Sequence, residues 1–464
     1  MVQVGAVNNT FGVRGVNEHC WFLKTIDEAH KLRVHLSKSI EHAGLPTTTP
    51  EERRRLLSFV VVGGGPTGCE LAAELHDLVT EDVARLFPHL KGEVSITLVE
   101  TQDHLLSAYD RQIAEYAGRL FTREGIQLKL NTKVLAVDPG VLHVQPLGEP
   151  EQTLPFGTCV WATGVGMHPL VKSLEAKLPA TVPTSPTGLV VDRYLRVKGW
   201  DGSIIALGDV AVTNQDKALE HAASLFASVS VSRSTDGRLS ETQVHEVLRK
   251  AVHDYPQMSE LARHLEGLRR SPDGKRVSTA HLLGSAQRLS IYSKHIERLQ
   301  HGLTYDEFRE LLQDMDKMLR ALPATAQVAR QEGEYMAALF SGGLIKAQPA
   351  PKEERAEPEN KAMVELDPSV RPFLYTHLGS LAYLGMDRAV MQLPYAFPFK
   401  TLKGWLVGHA WRGMETFMQV HCCFRFLGLA GQAAGAAQVS LRNQWMVLND
   451  WVRTKLFGRN LSDV

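Results

Sequence analysis

An α/β fold built on a parallel sheet is what this sequence predicts, and three observations carry the prediction. Residues 59–62 are apolar and mostly β-branched, and they end in Gly63-x-Gly65-x-x-Gly68 with helix-forming residues 70–78 directly behind. A second short apolar run, residues 94–99, ends on a carboxylate, Glu100. A third, residues 159–166, leaves through Gly164 and Gly166. Short buried runs alternating with amphipathic helical stretches are the pattern of βα units.

The elements follow in order. Trp21 to Ala43 has helical spacing and stops near Gly44 and Pro46, and residues 47–55 read as a polar, charged linker. In the glycine turn, Gly63 permits the bend, Gly65 lets backbone approach a phosphate, and Gly68 lets helix and strand pack closely. The free N–H groups and dipole of the following helix then attract an anion. With a strand before it and a helix after it, the motif reads as a dinucleotide site. An acidic residue is expected on the ribose about 20 residues on. Glu100 lies further away because residues 71–90 form an extended helix and loop. A carboxylate there accepts from a ribose 2′-hydroxyl and repels a 2′-phosphate, so Glu100 favours NADH over NADPH.

Residues 110–124 form a second amphipathic helix, and residues 127–137 and 141–144 alternate like a hairpin through Pro139-Gly140. Residues 203–210 make a further buried strand ending in Gly208-Asp209. From Asn214 to about Leu319, charged helix-like segments alternate with Ser/Asp/Gly turns, which reads as an inserted helical subdomain. Residues 346–358 are a Pro/Lys/Glu-rich linker, and residues 373–464 are aromatic and basic.

Bulk properties exclude several classes. At 464 residues the chain holds two or more domains,. Lys+Arg and Asp+Glu balance at 51 each, so nothing overall points to nucleic acid. Cys20, Cys69, Cys159, Cys422 and Cys423 show no C-x-x-C and no zinc spacing, so no metal site is expected,. The missing C-x-x-C also argues against a flavin-dependent disulfide reductase. No window supplies the ~20 apolar residues of a spanning helix, and neither a signal peptide nor a presequence opens the chain.

The order G-G-G-P-T-G-C-E (63–70), A-T-G-V-G (162–166), A-L-G-D-V-A (206–211), L-P-A-T-A-Q-V-A (322–329) and W-V-R-T-K-L-F-G-R (451–459) resembles the type II (alternative, non-pumping) NADH:quinone oxidoreductases. The resemblance implies a flavoprotein of two dinucleotide-binding domains, using FAD and NADH. A Rossmann-like NADH domain would be inserted in a partial FAD domain, with a C-terminal amphipathic region lying on a membrane. It implies the domains 1–55 (first FAD segment and linker helix), 56–170 (NADH), 171–213 (second FAD segment), 214–319 (insertion), 320–385 (FAD return and quinone side) and 386–464 (membrane association). Carried over by position, Gly63, Gly65, Pro66, Gly68 and Glu100 would bind NADH, and Glu70 would lie near nicotinamide and flavin. Thr163 and Gly164 would line the cleft, Gly208 and Asp209 the ribityl chain. Ala326 and Gln327 would meet the isoalloxazine edge, and Gln327, Arg330 and Gln331 would border a quinone tunnel. A ubiquinone-type acceptor, a homodimer and a peripheral place on the mitochondrial inner membrane are the further implications, with a plastid as the alternative home.

Departures from that pattern set their own expectations. The family opens with a strand and glycine turn for the FAD phosphates, whereas Met1 stands at a point past it; the sequence is therefore expected to be a truncated one. Residues 232–243 resemble the calcium loop of the external subgroup, but Ser232, Ser234 and Gln243 replace carboxylates, leaving Asp236, so no useful calcium affinity is expected,. The Gly/Ala-rich tract 421–439 interrupts the family pattern and is expected to be a retained intron or splice variant. Residues 440–457 and 402–417 repeat apolar positions, Trp445, Trp451 and Trp405 among them, beside Lys and Arg. Such faces suit a helix lying in a lipid interface or one packed on a core. The competing functions are an NAD(H)-binding relic without catalysis and a ferredoxin or monodehydroascorbate reductase.

Overall fold

The computed structural model describes residues 1–200, 202–213, 217–229, 237–252, 301–317, 322–347, 364–367, 369–376, 379–386, 388–392 and 401–404, with single positions between 253 and 300. Two compact units form. One gathers Asn8–Gly164 with the described residues of Gly379–Leu393 and Phe399–Val464; the other gathers Met1–Val7 with the described residues of Val165–Leu378.

The first unit is a five-stranded parallel sheet in the order Trp21–Phe22, Thr158–Trp161, Ser58–Val62, Ser95–Val99, Gln127–Lys129. Successive side chains of a strand point to opposite faces, and here each face has its own core. Phe59 and Val61 meet Leu36, Ile40, Leu98 and Phe121 on the helical side. Val60 and Val62 meet Val137, Leu142 and Val144 from an antiparallel sheet of Thr132–Asp138, Val141–Pro146 and Gln152–Pro155. Cover on both faces explains why the strand reads as an unbroken apolar run.

The covering helices begin at clear signals. Thr25 caps Ile26–Gly44 in a reciprocal capping box with Glu28, and Pro66 opens Pro66–Asp77 behind Gly65. Arg111–Arg123 turns Ile113, Ala117, Leu120 and Phe121 inward. A three-stranded antiparallel sheet of Ser380–Tyr383, Ala389–Gln392 and Thr401–Gly404 also belongs to this unit. The Tyr383 hydroxyl donates to Asp77 Oδ2 at 2.6 Å, and the Met386 amide donates to Oδ1 at 2.9 Å. A carboxylate that is 1% exposed is thereby satisfied,.

The second unit has two cores. One surrounds Leu189–Val191, which pairs in parallel with Ala211–Thr213, and includes Leu207, Val210, Met336 and Leu339. The other is helical, drawing on Val244, Leu248, Phe308, Leu311, Leu312 and Met315. There Leu239 and Leu303 exchange both backbone hydrogen bonds at 2.8 Å. Gln243 and Glu307, four residues beyond each, close capping boxes with Ser240 and Thr304.

Several expectations are corrected. Trp21–Phe22 is an edge strand, not the first turn of a helix, because its backbone pairs with Val160 and Trp161. The supposed linker holds the helix Pro50–Leu56, capped by Thr49. Gln127–Lys129 joins the parallel sheet and only Thr132–Asp138 enters the hairpin, the chain turning at Asn131 with φ 50°. Residues 203–210 are not a strand: Arg196 pairs with Ile205 and Val2 with Ala206 as isolated bridges, and Gly208–Val210 is a 3₁₀ turn. In the two-unit division, residues 8–55 lie with the glycine-turn unit and the strand Val165–Met167 with the other. Of the stretch 402–417, expected to repeat apolar positions as a helix, residues 402–404 lie instead in the strand Thr401–Gly404, paired with Ala389–Gln392. The expectations for 232–236, most of the linker 346–358, the tract 421–439 and residues 405–417 and 440–457 lie outside the described residues. Among those described, no helix is long and apolar enough to cross a membrane.

Candidate functional site

The glycine turn sits at the C-terminal end of the central strand, where ligands of open parallel sheets bind. Gly63 takes φ 113°, and its amide donates to Val99 O at 2.8 Å, carrying the ladder one residue beyond the strand. A Cβ on Gly63 would stand 2.8 Å from Ala162 O and one on Gly68 only 1.8 Å from Gly63 O, so both positions admit hydrogen alone. Around Gly65 no heavy atom lies within 4 Å of that point. The turn is thus closed on its protein side and open where a phosphate would arrive. The helix behind it has no side-chain cap, so its first amides are available to an anion.

Glu100 folds back over this turn. Its Oε2 accepts from the Gly64 amide at 2.5 Å, and its Oε1 accepts from Thr101 Oγ1 at 2.9 Å and the Gln102 amide at 2.8 Å. The carboxylate is fixed against the Gly63–Gly68 turn with lone pairs left for a ribose hydroxyl. Leu106, at φ 52°, donates its amide to Gly64 O at 2.8 Å and braces the other side.

Thr163 and Gly164 stand beside the turn: Thr163 Cβ would lie 3.0 Å from a Cβ on Gly63. Gly164, at φ 65°, is covered by the ring of Phe11, which would come within 2.5 Å of an added Cβ. Phe11 is itself at φ 50° and 62% exposed. Asn9 Oδ1 accepts from its amide at 2.9 Å, and Trp161 Nε1 donates to Asn9 O at 2.9 Å. Sequence reading missed Phe11. Its one signal was the Asn9-Thr10-Phe11-Gly12 turn, which without coordinates has no connection to Gly164.

Glu70 lies in the second turn of the helix, where Oε1 accepts from the Tyr383 amide at 3.3 Å. Cys69 and Tyr109 nearby are both held far toward their neutral forms, first by burial and then by the Glu70 charge.

In the other unit, Gly208 turns at φ 69° and its would-be Cβ touches Ala329 at 3.4 Å, so the Gly208-Asp209 turn lies against the helix Ala326–Ser341. Glu332, 1% exposed, accepts from the Gly208 amide at 2.6 Å. Burial pushes its carboxyl up to about 7, against that hydrogen bond, with the Asp209 charge adding to the rise. Glu332 was also missed, since a charged residue in an amphipathic helix carries no sign of facing inward. Gln327 Oε1 accepts from the Tyr375 hydroxyl at 3.3 Å, and Gln331 makes two bonds of 2.8 Å to the Thr376 backbone. Arg330 is directed outward to Glu334 at 2.9 Å. The helix places Gln327 and Gln331 on one segment and Arg330 apart from it.

Known proteins resemble this chain over its whole length. The family described as pyridine nucleotide-disulphide oxidoreductase matches residues 2–232, and the NDH2 C-terminal domain matches residues 377–431. An external alternative NAD(P)H-ubiquinone oxidoreductase B2, mitochondrial, of Arabidopsis thaliana is 35% identical over the whole chain and 72% of its own length. An external alternative NADH-ubiquinone oxidoreductase, mitochondrial, of Yarrowia lipolytica is 31% identical over the whole chain and 62% of its own. The structure of NDH2 from Plasmodium falciparum in complex with NADH superimposes with a TM-score of 0.73 at 23% identity, covering 99% of this chain and 78% of that one. The chain, matched over its whole length by such relatives, belongs to the type II NADH dehydrogenase family.

Proposed function

We propose that this chain oxidises NADH and passes the electrons to a ubiquinone-type quinone through FAD, without pumping protons. The observation that carries the proposal is the open approach at Gly65 beside the sealed contacts at Gly63 and Gly68. In this reading the diphosphate of NADH lies on the amide N–H groups of Gly65, Thr67 and Gly68, with Pro66, which has no N–H, fixing the first helical residue,. The adenosine ribose lies on Glu100, and the nicotinamide half points toward Thr163 and Gly164, with Glu70 near its ring. The names of the Arabidopsis and Yarrowia relatives support the acceptor, and their mitochondrial designation supports a mitochondrial home.

The residues of the second unit fit one end of a flavin. Asp209 on its turn and the uncapped start of the Ala326 helix offer a carboxylate for a ribityl hydroxyl and amides for the polar edge of an isoalloxazine,. Among the described residues of that unit no second G-x-G-x-x-G turn holds the phosphates. When bound, FAD supplies hydride acceptance and two-electron donation, while the protein supplies position and charge. Gln327, held by Tyr375, would present its amide to a quinone carbonyl. Gln331 orders the segment at Thr376, and Arg330 reaches a quinone only by leaving Glu334, an exposed pair worth about 0.3–0.5 kcal/mol. Peripheral attachment to the inner membrane through the C-terminal residues, and a homodimer, belong to the same proposal.

The test is reconstitution of the purified chain with FAD, followed by flavin absorbance, NADH titration and NADH oxidation with a short-chain ubiquinone. A yellow protein that consumes NADH only with quinone present supports the enzyme. A colourless protein that still binds NADH supports the relic, and failure to bind NADH removes both.

A further inference from the structure

Two thiols that the redox reaction does not use lie in contact inside the glycine-turn unit. Cys20 Sγ donates to Cys159 Sγ at 3.4 Å across 139 residues of sequence. Their backbones are neighbours by register: Trp21 pairs with Val160 and Phe22 with Trp161 in parallel, which sets Cys20 beside Cys159 one residue earlier. Cys20 has an extended backbone, φ −108° and ψ 150°, continuing the line of the strand. Adjacent strands run about 4.8 Å apart, inside the ~4.4–6.8 Å Cα separation that a disulfide spans. Access is unequal: Cys159 is 0% exposed, whereas Cys20 is partly open to solvent. The pair therefore has an entry thiol and a resolving thiol.

We propose that Cys20 and Cys159 are a redox modification site, closed to an intramolecular disulfide by a small-molecule disulfide of the glutathione class. The Cys20 thiolate attacks one sulfur of the oxidant, forming a mixed disulfide and expelling one thiolate. Cys159 then attacks the Cys20 sulfur, giving its proton to solvent, and expels the second thiolate. Two protein thiols are oxidised by two electrons, one disulfide is reduced to two thiols, and the two protons end on those products. The thiolate is the attacking species, and Cys159 is held toward its thiol form by the Cys20 hydrogen bond and by burial. The bridge would tie the edge strand to Thr158–Trp161, the strand that runs into Ala162–Gly164 beside the glycine turn.

The test uses the native full chain in buffers of oxidised and reduced glutathione, with free thiols blocked before denaturation and cross-linked peptides mapped by mass. The expected result is one linked peptide joining Cys20 to Cys159, two hydrogens lighter than the reduced pair, a rise of several degrees in Tm, and reversal of both by dithiothreitol. C20S should lose the linkage and take up no glutathione at Cys159. C159S should accumulate one glutathione on Cys20. A chain that stays folded in excess oxidised glutathione with no linked peptide, or with stable glutathione on Cys20 in the unsubstituted protein, overturns the proposal. So does a linkage that forms only after denaturation. The unsubstituted chain alone decides this if a serine variant fails to fold, and NADH binding is not among the readouts, so its failure leaves the proposed function standing.

Discussion

Replacing Gly65 or Gly68 by alanine adds the same methyl group three residues apart, and the two substitutions should fail in different ways. At Gly68 the new Cβ meets Gly63 O at 1.8 Å and Gly63 C at 3.0 Å, so the first helical turn must retreat by roughly 1.2 Å to restore a contact that real side chains tolerate,. Overpacking of this kind costs about 1–3 kcal/mol. Gly68 is buried between helix and strand, so nothing relaxes cheaply. At Gly65 the methyl enters open space, and the backbone at φ −72° and ψ −178° suits alanine. Loss of the preferred N-cap glycine is offset by about 0.4–1 kcal/mol of unfolded-chain entropy, leaving stability almost unchanged. In the proposed binding mode that methyl stands where the diphosphate would arrive, and a loss of ~10–100-fold in NADH affinity, about 1.4–2.7 kcal/mol, is expected. Thermal unfolding and titration calorimetry with NADH, run on both variants, separate the cases. G65A that binds NADH like the parent chain would show that no phosphate approaches there, and the assignment of this turn would fail.

Three further outcomes are expected. Glu100→Ala removes the proposed ribose acceptor and the partner of the Gly64 amide; kcat/KM for NADH should fall ~10-fold or more while that for NADPH falls less, and an unchanged NADPH/NADH ratio would refute the role. Glu332→Gln keeps an oxygen for the Gly208 amide but cannot ionise. Because burial raises the native carboxyl from the ordinary 4.5 to about 7, ionisation in the native chain opposes folding. Stability from this group is full below about pH 4.5 and declines as pH rises toward 7, by no more than roughly 3 kcal/mol. Tm measured from pH 5 to 8 should fall less in E332Q, and parallel curves would count against the buried carboxyl. Tyr383→Phe deletes a donor to the buried Asp77 and should cost about 1.5–3 kcal/mol in urea unfolding with the slope unchanged; a change under ~0.5 kcal/mol would mean that the bond does not hold.

Much of the nucleotide unit was legible because its signals are local. A β-branched run, a glycine turn and a helix start sit within a dozen residues, and a Cβ would clash at Gly63 and Gly68 but meet open space at Gly65. Glu100 was placed by its position after a strand, although its bond to Gly64 was not foreseeable. The edge strand Trp21–Phe22 was read as helix because two residues carry no period, and only pairing with Thr158–Trp161 defines them. Residues 203–210 are apolar like a strand, yet they hold the core through isolated bridges. Phe11 and Glu332 owe their places to partners 153 and 124 residues away, Gly164 and Gly208, a kind of information that spacing cannot contain.

The anchoring of Asp77 by Tyr383 and Met386 also bears on how the chain is made. Those partners leave the ribosome 306 and 309 residues after the carboxylate they satisfy. At roughly 5–20 residues per second, the interval is about 15–60 s. During it the glycine-turn sheet can assemble, but the helix behind the turn must keep its charged end toward water. Order of synthesis and order of assembly therefore diverge, and the Asp77 end of this helix is completed only after Met386 has emerged.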